Sequence, residues 1–208
     1  GTHTAGTVAG DGTAGTQTGV APLSKIMALK VLTREGTGQQ SGVWKAMEFA
    51  AEKGAHVLSM SIGWEYGSGA VREVWRGILE NFLNLGVTAS VAVGNEGNQQ
   101  FKYPTPYNVR TPGDCPTSWI HPSQTVVGGI TAAVGVGATD QNDQVAVYSS
   151  RGPVTWQEVE GYKDYPWRPG NGLMKPDVTS PGTDVRSLSY RDTSGYLSLS
   201  GTSMAAPS

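Results

Sequence analysis

Between Lys25 and Val93 the apolar residues switch back and forth between continuous runs and a helical period, and this alternation restricts the fold more than any other feature of the chain. Lys25-Ile26-Met27-Ala28-Leu29-Lys30-Val31-Leu32 follows Ala21-Pro22 and ends before Gly36 and Gly38, the pattern of a strand buried on both faces. From Ser41 to Lys53, Val43, Ala46, Met47 and Ala50 recur with a helical period; Ser41 is placed to cap this helix and Gly54 to end it. Val57 to Met60 predicts the next strand. Val71, Val74, Trp75, Ile78, Leu79 and Phe82 then predict a second amphipathic helix that stops at Gly86, and Thr88 to Val93 a further strand. Strand, helix, strand, helix, strand without a break calls for parallel strands joined by crossover helices, because parallel neighbours cannot be linked by a tight turn. The expected class is therefore α/β: three layers, a mostly parallel sheet with helices on both faces. Beyond Gly97 the pattern loosens into a polar, proline-rich stretch from Asn98 to Gln124. A strand is expected at Ala132 to Ala138, a long loop at Val154 to Met174, and short strands at Asp184 to Leu188 and Leu197 to Leu199.

Composition narrows the partners. The chain has 208 residues, enough for the core of one large domain. Lys and Arg number 15 against 17 Asp and Glu with no basic run, so neither a nucleic acid nor an acidic membrane surface is an expected partner. No stretch approaches the ~20 apolar residues of a membrane span. The single cysteine, Cys115, forms no internal disulfide and fits neither a zinc cluster nor a redox pair. Oligomeric state is left open.

In sheets of this kind ligand sites gather beyond the carboxyl ends of the strands. Ser61-Ile62-Gly63 and Gly94-Asn95-Glu96-Gly97 fall at two such ends. Near the far end of the chain, Gly201-Thr202-Ser203-Met204-Ala205-Ala206-Pro207 sets a serine at the start of a small-residue helix. Unpaired backbone N–H groups at such a start can stabilise a negative oxygen formed during acyl transfer. Each feature also has an ordinary structural reading: Gly-x-Ser is common in turns, and an asparagine beside glycines suits a left-handed turn.

The segments have more weight together. Gly201 to Pro207 resembles the serine signature of the subtilisin-like proteases, and Ala92-Val93-Gly94-Asn95-Glu96-Gly97 resembles that family's oxyanion-asparagine motif. Gly1-Thr2-His3-Thr4-Ala5-Gly6-Thr7 is similar to its histidine motif. Tyr148-Ser149-Ser150-Arg151-Gly152-Pro153 and Lys175-Pro176-Asp177-Val178-Thr179-Ser180-Pro181-Gly182 are similar to two further blocks, both structural. The blocks fall in family order over nearly the whole chain. The resemblance implies a secreted serine endopeptidase acting on extended polypeptide with no required cofactor. Ser203 would be the nucleophile, and Asn95 with the Ser203 backbone N–H would hold the oxyanion. Ser61, Ile62 and Gly63 would wall the primary specificity pocket beside Ala92, Val93 and Gly94, Val93 replacing the family's more usual alanine. The segment from Gly36 to Gln40, with Gly36 and Gly38, would form the opposite rail, so that substrate binds by strand addition.

In the family's histidine motif the base is the first histidine, which the motif places one residue ahead of Gly1; His3 is the second and has a packing role. The aspartate precedes both, because the order is Asp, His, Ser. Residues 1–208 are thus expected to be a partial peptidase domain, without the segment bearing base and aspartate and without the C-terminal helices, and nearly inactive alone. The alternative is a non-catalytic peptide-binding or scaffolding relative.

Several other features invite functional readings. Asp177 is a conspicuous carboxylate, but the family places it in a scaffold turn. Gly10-Asp11-Gly12-Thr13-Ala14-Gly15 satisfies the spacing G-x-G-x-x-G, yet a dinucleotide site needs a strand before it and a helix after it, and Thr16 to Pro22 cannot begin a helix. In relatives that loop can bind calcium, so the resemblance allows a structural calcium here, although Asp11 is the loop's one carboxylate against the roughly six to eight oxygens a calcium ion takes. His56 and His121 have no motif support as bases, and Ser208 stands where the family commonly has histidine. Thr117 to Ile130, with Trp119, His121 and Pro122, reads as an insertion, as does part of the loop carrying Trp156, Tyr162, Tyr165 and Trp167. Their aromatic residues are expected to pack these loops onto their own domain.

Overall fold

A computed structural model describes residues 1–13 and 15–208. In chain order the elements are α1 (Thr2–Ala9), α2 (Gln40–Glu52), β1 (Val57–Met60), α3 (Arg72–Asn84), β2 (Thr88–Ala92), β3 (Ala133–Thr139), β4 (Val178–Pro181), β5 (Val185–Leu188), β6 (Tyr196–Leu199) and α4 (Thr202–Ala205). The first four strands form one parallel sheet in the order β1-β2-β3-β4, and β5 and β6 pair antiparallel. This is the expected α/β arrangement.

The two-residue period of a strand divides the sheet's side chains between two cores. Ala89, Val91 and Ala133 point to the side where α2 contributes Val43 and Met47 and α3 contributes Trp75, Leu79 and Phe82. Ala92, Val136 and Ala138 point the other way, onto Ala205 and Ala206 at the end of α4. Small side chains on that second face let the serine-bearing segment approach the strands closely: Ser90 Oγ donates to Ala206 O at 2.5 Å. Both crossover helices end as their glycines predict, with φ of +76° at Gly54 and +72° at Gly86.

Three elements differ from expectation. Lys25 to Leu32 is not a buried strand: it has no ladder partner among the described residues, and Ile26 and Met27 are 49% and 41% exposed. An apolar run marks residues suited to burial, but pairing and cover on both faces must come from other elements. Second, α2 starts at Gln40 and takes no cap from Ser41. The Gln40 side chain instead accepts from Val71 N at 3.1 Å and Trp75 Nε1 at 2.8 Å, joining the starts of both crossover helices. Third, β4 lies in a polar segment between Pro176 and Pro181 with no strand-like periodicity; it forms the sheet's last strand, where proline is tolerated.

Of the two insertions, the loop 154–174 packs as expected, whereas most of residues 118–130 is exposed. Trp156 and Tyr165 are buried, and Trp156 Nε1 donates to Asp114 O at 3.0 Å. Their ionic centre is Arg76, which is fully buried on α3, binds both Asp164 oxygens at 2.9 and 2.7 Å, and donates to Gly129 O at 2.9 Å. Trp119, in contrast, is 58% exposed.

Cys115 is fully buried, and burial, with Asp114 next to it, pushes its thiol well above the ordinary range. The thiolate is the reactive form, so the folded protein is expected to give no reaction with a thiol-specific disulfide reagent and one equivalent once unfolded. Titration with and without denaturant measures this, and prompt labelling of folded protein would contradict the buried placement.

Candidate active site

The ends of β1 and β2, the start of α4 and the Gly36–Gly38 loop converge. Thr202 joins them: its backbone N–H donates to Asn95 Oδ1 at 2.9 Å, its hydroxyl donates to the same oxygen at 3.1 Å, and that hydroxyl accepts from Gly94 N at 3.2 Å. Only an oxygen can accept the Thr202 N–H, so these bonds orient the Asn95 amide with its Nδ2 directed away from Thr202. No acceptor among the described residues takes Asn95 Nδ2 or the Ser203 backbone N–H. Asn95 is thus tethered to the residue next to Ser203, and two donors, its Nδ2 and the Ser203 N–H, are left without a protein acceptor.

Ser61 meets Ser203 directly. Ser61 Oγ donates to Ser203 O at 2.7 Å, and Ser203 Oγ lies 3.5 Å from Ser61 O, a long and weak contact that leaves the hydroxyl available. Ser61, Ile62 and Gly63 line one side of an open cleft of 310 Å³, and Gly36 and Gly38 line the other. The two segments thus share one cleft. Ala92 and Val93 are buried behind the site, and Gly94 forms its turn.

No histidine hydrogen-bonds Ser203 among the described residues. His3 is buried on α1, with Nε2 at 3.0 Å from Val185 O and 3.2 Å from Leu197 O, while its own carbonyl accepts from Ser187 Oγ at 2.8 Å. It fixes α1 to the β5–β6 hairpin. His121 Nδ1 accepts from Ser123 N at 3.1 Å in an exposed loop. Asp177 is paired at 2.6 Å with buried Lys175 and accepts from Gly135 N at 2.6 Å, so it braces β3 against β4. In the Gly10–Gly15 loop, where Ala14 lies outside the described residues, Asp11 Oδ1 accepts from Thr13 N at 3.1 Å and Thr13 Oγ1 at 2.6 Å. No cluster of three or more His, Cys, Asp or Glu able to hold a metal occurs among the described residues, and no helix there is long and apolar enough to cross a membrane.

The model of the Subtilase family matches residues 1–208. The chain belongs to the subtilase family. Among curated relatives of this subtilase, a thermostable alkaline protease from Halalkalibacterium halodurans is 32% identical over 207 residues, covering 100% of this chain and 44% of the relative. Subtilisin BL from Lederbergia lenta is 30% identical over 207 residues, covering 100% of this chain and 58% of the relative. Thermitase from Thermoactinomyces vulgaris is 31% identical over 212 residues, covering 100% of this chain and 57% of the relative. The chain spans about half the length of these relatives.

Two parts of this subtilase's site have no sequence motif. One is the Thr202 anchor on Asn95, which lies inside a recognised segment but whose action is visible only in three dimensions. The other is an ion cluster beside the cleft. Arg110 binds Glu96 at 3.0 and 2.5 Å and Glu65 at 2.7 Å, and Glu96 Oε2 also accepts from Asn95 N at 2.8 Å. The three charges are far apart in the chain, and no spacing rule connects them.

Proposed function

We propose that these residues are part of the peptidase domain of a secreted serine endopeptidase that cleaves extended polypeptide. The observation that supports this reading is the tether of Asn95 to Thr202, which leaves Asn95 Nδ2 and the Ser203 N–H without acceptors among the described residues, together with the contact of Ser203 with Ser61 on the wall of the cleft. A peptide laid between the Gly36–Gly38 and Ser61–Gly63 rails gains main-chain hydrogen bonds that do not depend on its sequence. Ser203 Oγ then attacks the scissile carbonyl carbon, the carbonyl electrons move onto oxygen, and the two donors hold that charge. Collapse breaks the C–N bond, the amine leaving with the proton that a base has taken from Ser203, and the acyl-enzyme left at Ser203 is hydrolysed by water to the free acid and serine. The reaction uses side chains and backbone donors and no cofactor.

The serine proton needs a base, and the one acceptor described for Ser203 Oγ, Ser61 O at 3.5 Å, is a carbonyl that cannot serve as one. The base and the aspartate that orients it are proposed to come from sequence ahead of Gly1, so that the 208 residues alone are close to inert. The test is covalent labelling with a fluorophosphonate. The chain extended through the family's histidine and aspartate should label, with the adduct mapped to Ser203, and the 208 residues alone should not. Equal labelling of both would remove the need for an upstream base; failure of the extended chain to label would remove the endopeptidase reading and favour a peptide-binding scaffold.

A further inference from the structure

The ends of two neighbouring strands leave a slot beside Ser203, and one side chain occupies it. β1 and β2 are adjacent in the sheet, and each is followed by a glycine, Gly63 and Gly94. A Cβ built on Gly63 would lie 3.0 Å from Arg110 Cβ, and one built on Gly94 would lie 2.9 Å from Arg110 Cγ. The Arg110 stem therefore runs between the two glycines, and neither strand end has room for a side chain at its glycine. The backbone fixes it there: Arg110 N donates to Val93 O at 2.9 Å, and Thr111 exchanges bonds of 3.0 and 2.8 Å with Trp64. Both strand ends thus hold the segment that supplies the arginine.

The guanidinium is only partly used. Its Nε and Nη2 are taken by Glu96 and Glu65, while Nη1 has no acceptor among the described residues, and the side chain remains 29% exposed where it lines the cleft. Glu65 lines a neighbouring cavity of 380 Å³ with Tyr66, Tyr107 and Thr111. The Arg110–Glu65 pair accordingly stands between the cleft and that cavity.

The geometry points to Arg110 as the residue that determines which substrate side chain the cleft takes. This rests on the endopeptidase reading. Ser203 contacts Ser61 at the end of β1 and Thr202 bonds Gly94 at the end of β2, so a substrate residue whose carbonyl lies against Ser203 has the slot between those ends beside it, and its side chain meets Arg110 there. The stem takes up the depth a large apolar side chain requires. The free Nη1 donors favour a side chain tipped by a hydrogen-bond acceptor, because a buried donor without a partner disfavours apolar occupants. A carboxylate and an amide share this chemistry. Glu65 and Glu96 already balance the guanidinium, so comparing the two substrates shows whether charge or hydrogen bonding dominates.

The test uses the extended chain and peptides that differ only in the residue supplying the scissile carbonyl: Gln, Glu, Leu or Phe. Fluorophosphonate labelling at Ser203 is measured first for each protein. The parent is expected to give kcat/KM at least about tenfold higher for Gln or Glu than for Leu and Phe. In Arg110→Gly combined with Glu96→Gln, which leaves no buried carboxylate unpaired, the slot joins the neighbouring cavity and Phe becomes the better substrate. Arg110→Met with Glu96→Gln retains the stem without the donors, and should lose the preference for Gln and Glu without gaining Phe. A parent that labels but prefers Leu or Phe, or variants that retain the parent's order, would overturn the role of Arg110 alone. A parent that does not label Ser203 would overturn the endopeptidase reading and this inference with it.

Discussion

Asn95→Ala in the extended chain is expected to lower kcat by about 100 to 1000-fold while leaving KM nearly unchanged, a magnitude taken from the same donor in a relative, subtilisin, rather than deduced from this chain. The reason for the split is geometric. Asn95 Nδ2 has no partner among the described residues, and in the proposed oxyanion role its bond strengthens as charge develops on the substrate oxygen, so that its loss would act on the transition state. Alanine also removes the oxygen that accepts from Thr202 N and Oγ1, and this could disturb Ser203 independently. Asn95→Asp separates the two effects. It retains an oxygen for Thr202, loses both N–H donors and sets a negative charge beside the oxyanion. A donor role predicts that Asn95→Asp is at least as slow as Asn95→Ala, whereas a role limited to positioning Thr202 predicts recovery. A change confined to KM would also remove Asn95 from the proposed chemistry.

The parts of this site that could be read from sequence are those fixed by local pattern. α2, α3, β1 and β2 are legible because their periodicity is carried by residues a few positions apart, and Ser61 to Gly63 and Gly94 to Gly97 follow β1 and β2 as that pattern implies. Lys25 to Leu32 shows where such reasoning fails. Its apolar run resembles a buried strand, but burial belongs to the neighbours, and no described strand pairs with it. β4 fails in the opposite direction: its polar, proline-flanked sequence suggests a loop, and it is a strand because β3 offers it a free edge. The ion cluster of Arg110, Glu65 and Glu96 was hidden because each member alone reads as a surface charge. Arg76 left a faint trace. It interrupts the arc of α3 that carries Trp75 and Leu79, and a charge on an apolar arc calls for a partner from elsewhere in the fold.

That partner makes Arg76 the residue whose loss should most weaken the fold outside the hydrophobic core. Arg76→Ala is expected to destabilise the protein by about 3 to 5 kcal/mol, the usual consequence of breaking a buried ion pair from one side. The penalty comes chiefly from Asp164, 4% exposed and held by two guanidinium bonds, which would be left charged without a counterion. The flat guanidinium also lies 3.9 Å from the Tyr162 ring centre and 5.0 Å from that of Trp156, contacts that alanine loses and that stack the loop onto α3. Through Gly129 O the same group holds the other insertion. The double variant Arg76→Met with Asp164→Leu tests the origin of the effect. Apolar side chains of similar volume can replace a buried pair at little net loss, so the double variant should be more stable than Arg76→Ala by at least about 1 kcal/mol. Urea unfolding midpoints measure both. Equal destabilisation would assign the effect to lost packing instead of the stranded Asp164 charge. Hydrogen exchange gives a second readout: in Arg76→Ala, protection should fall first across residues 154–174, since Asp164, Tyr162 and Trp156 all anchor that loop to Arg76.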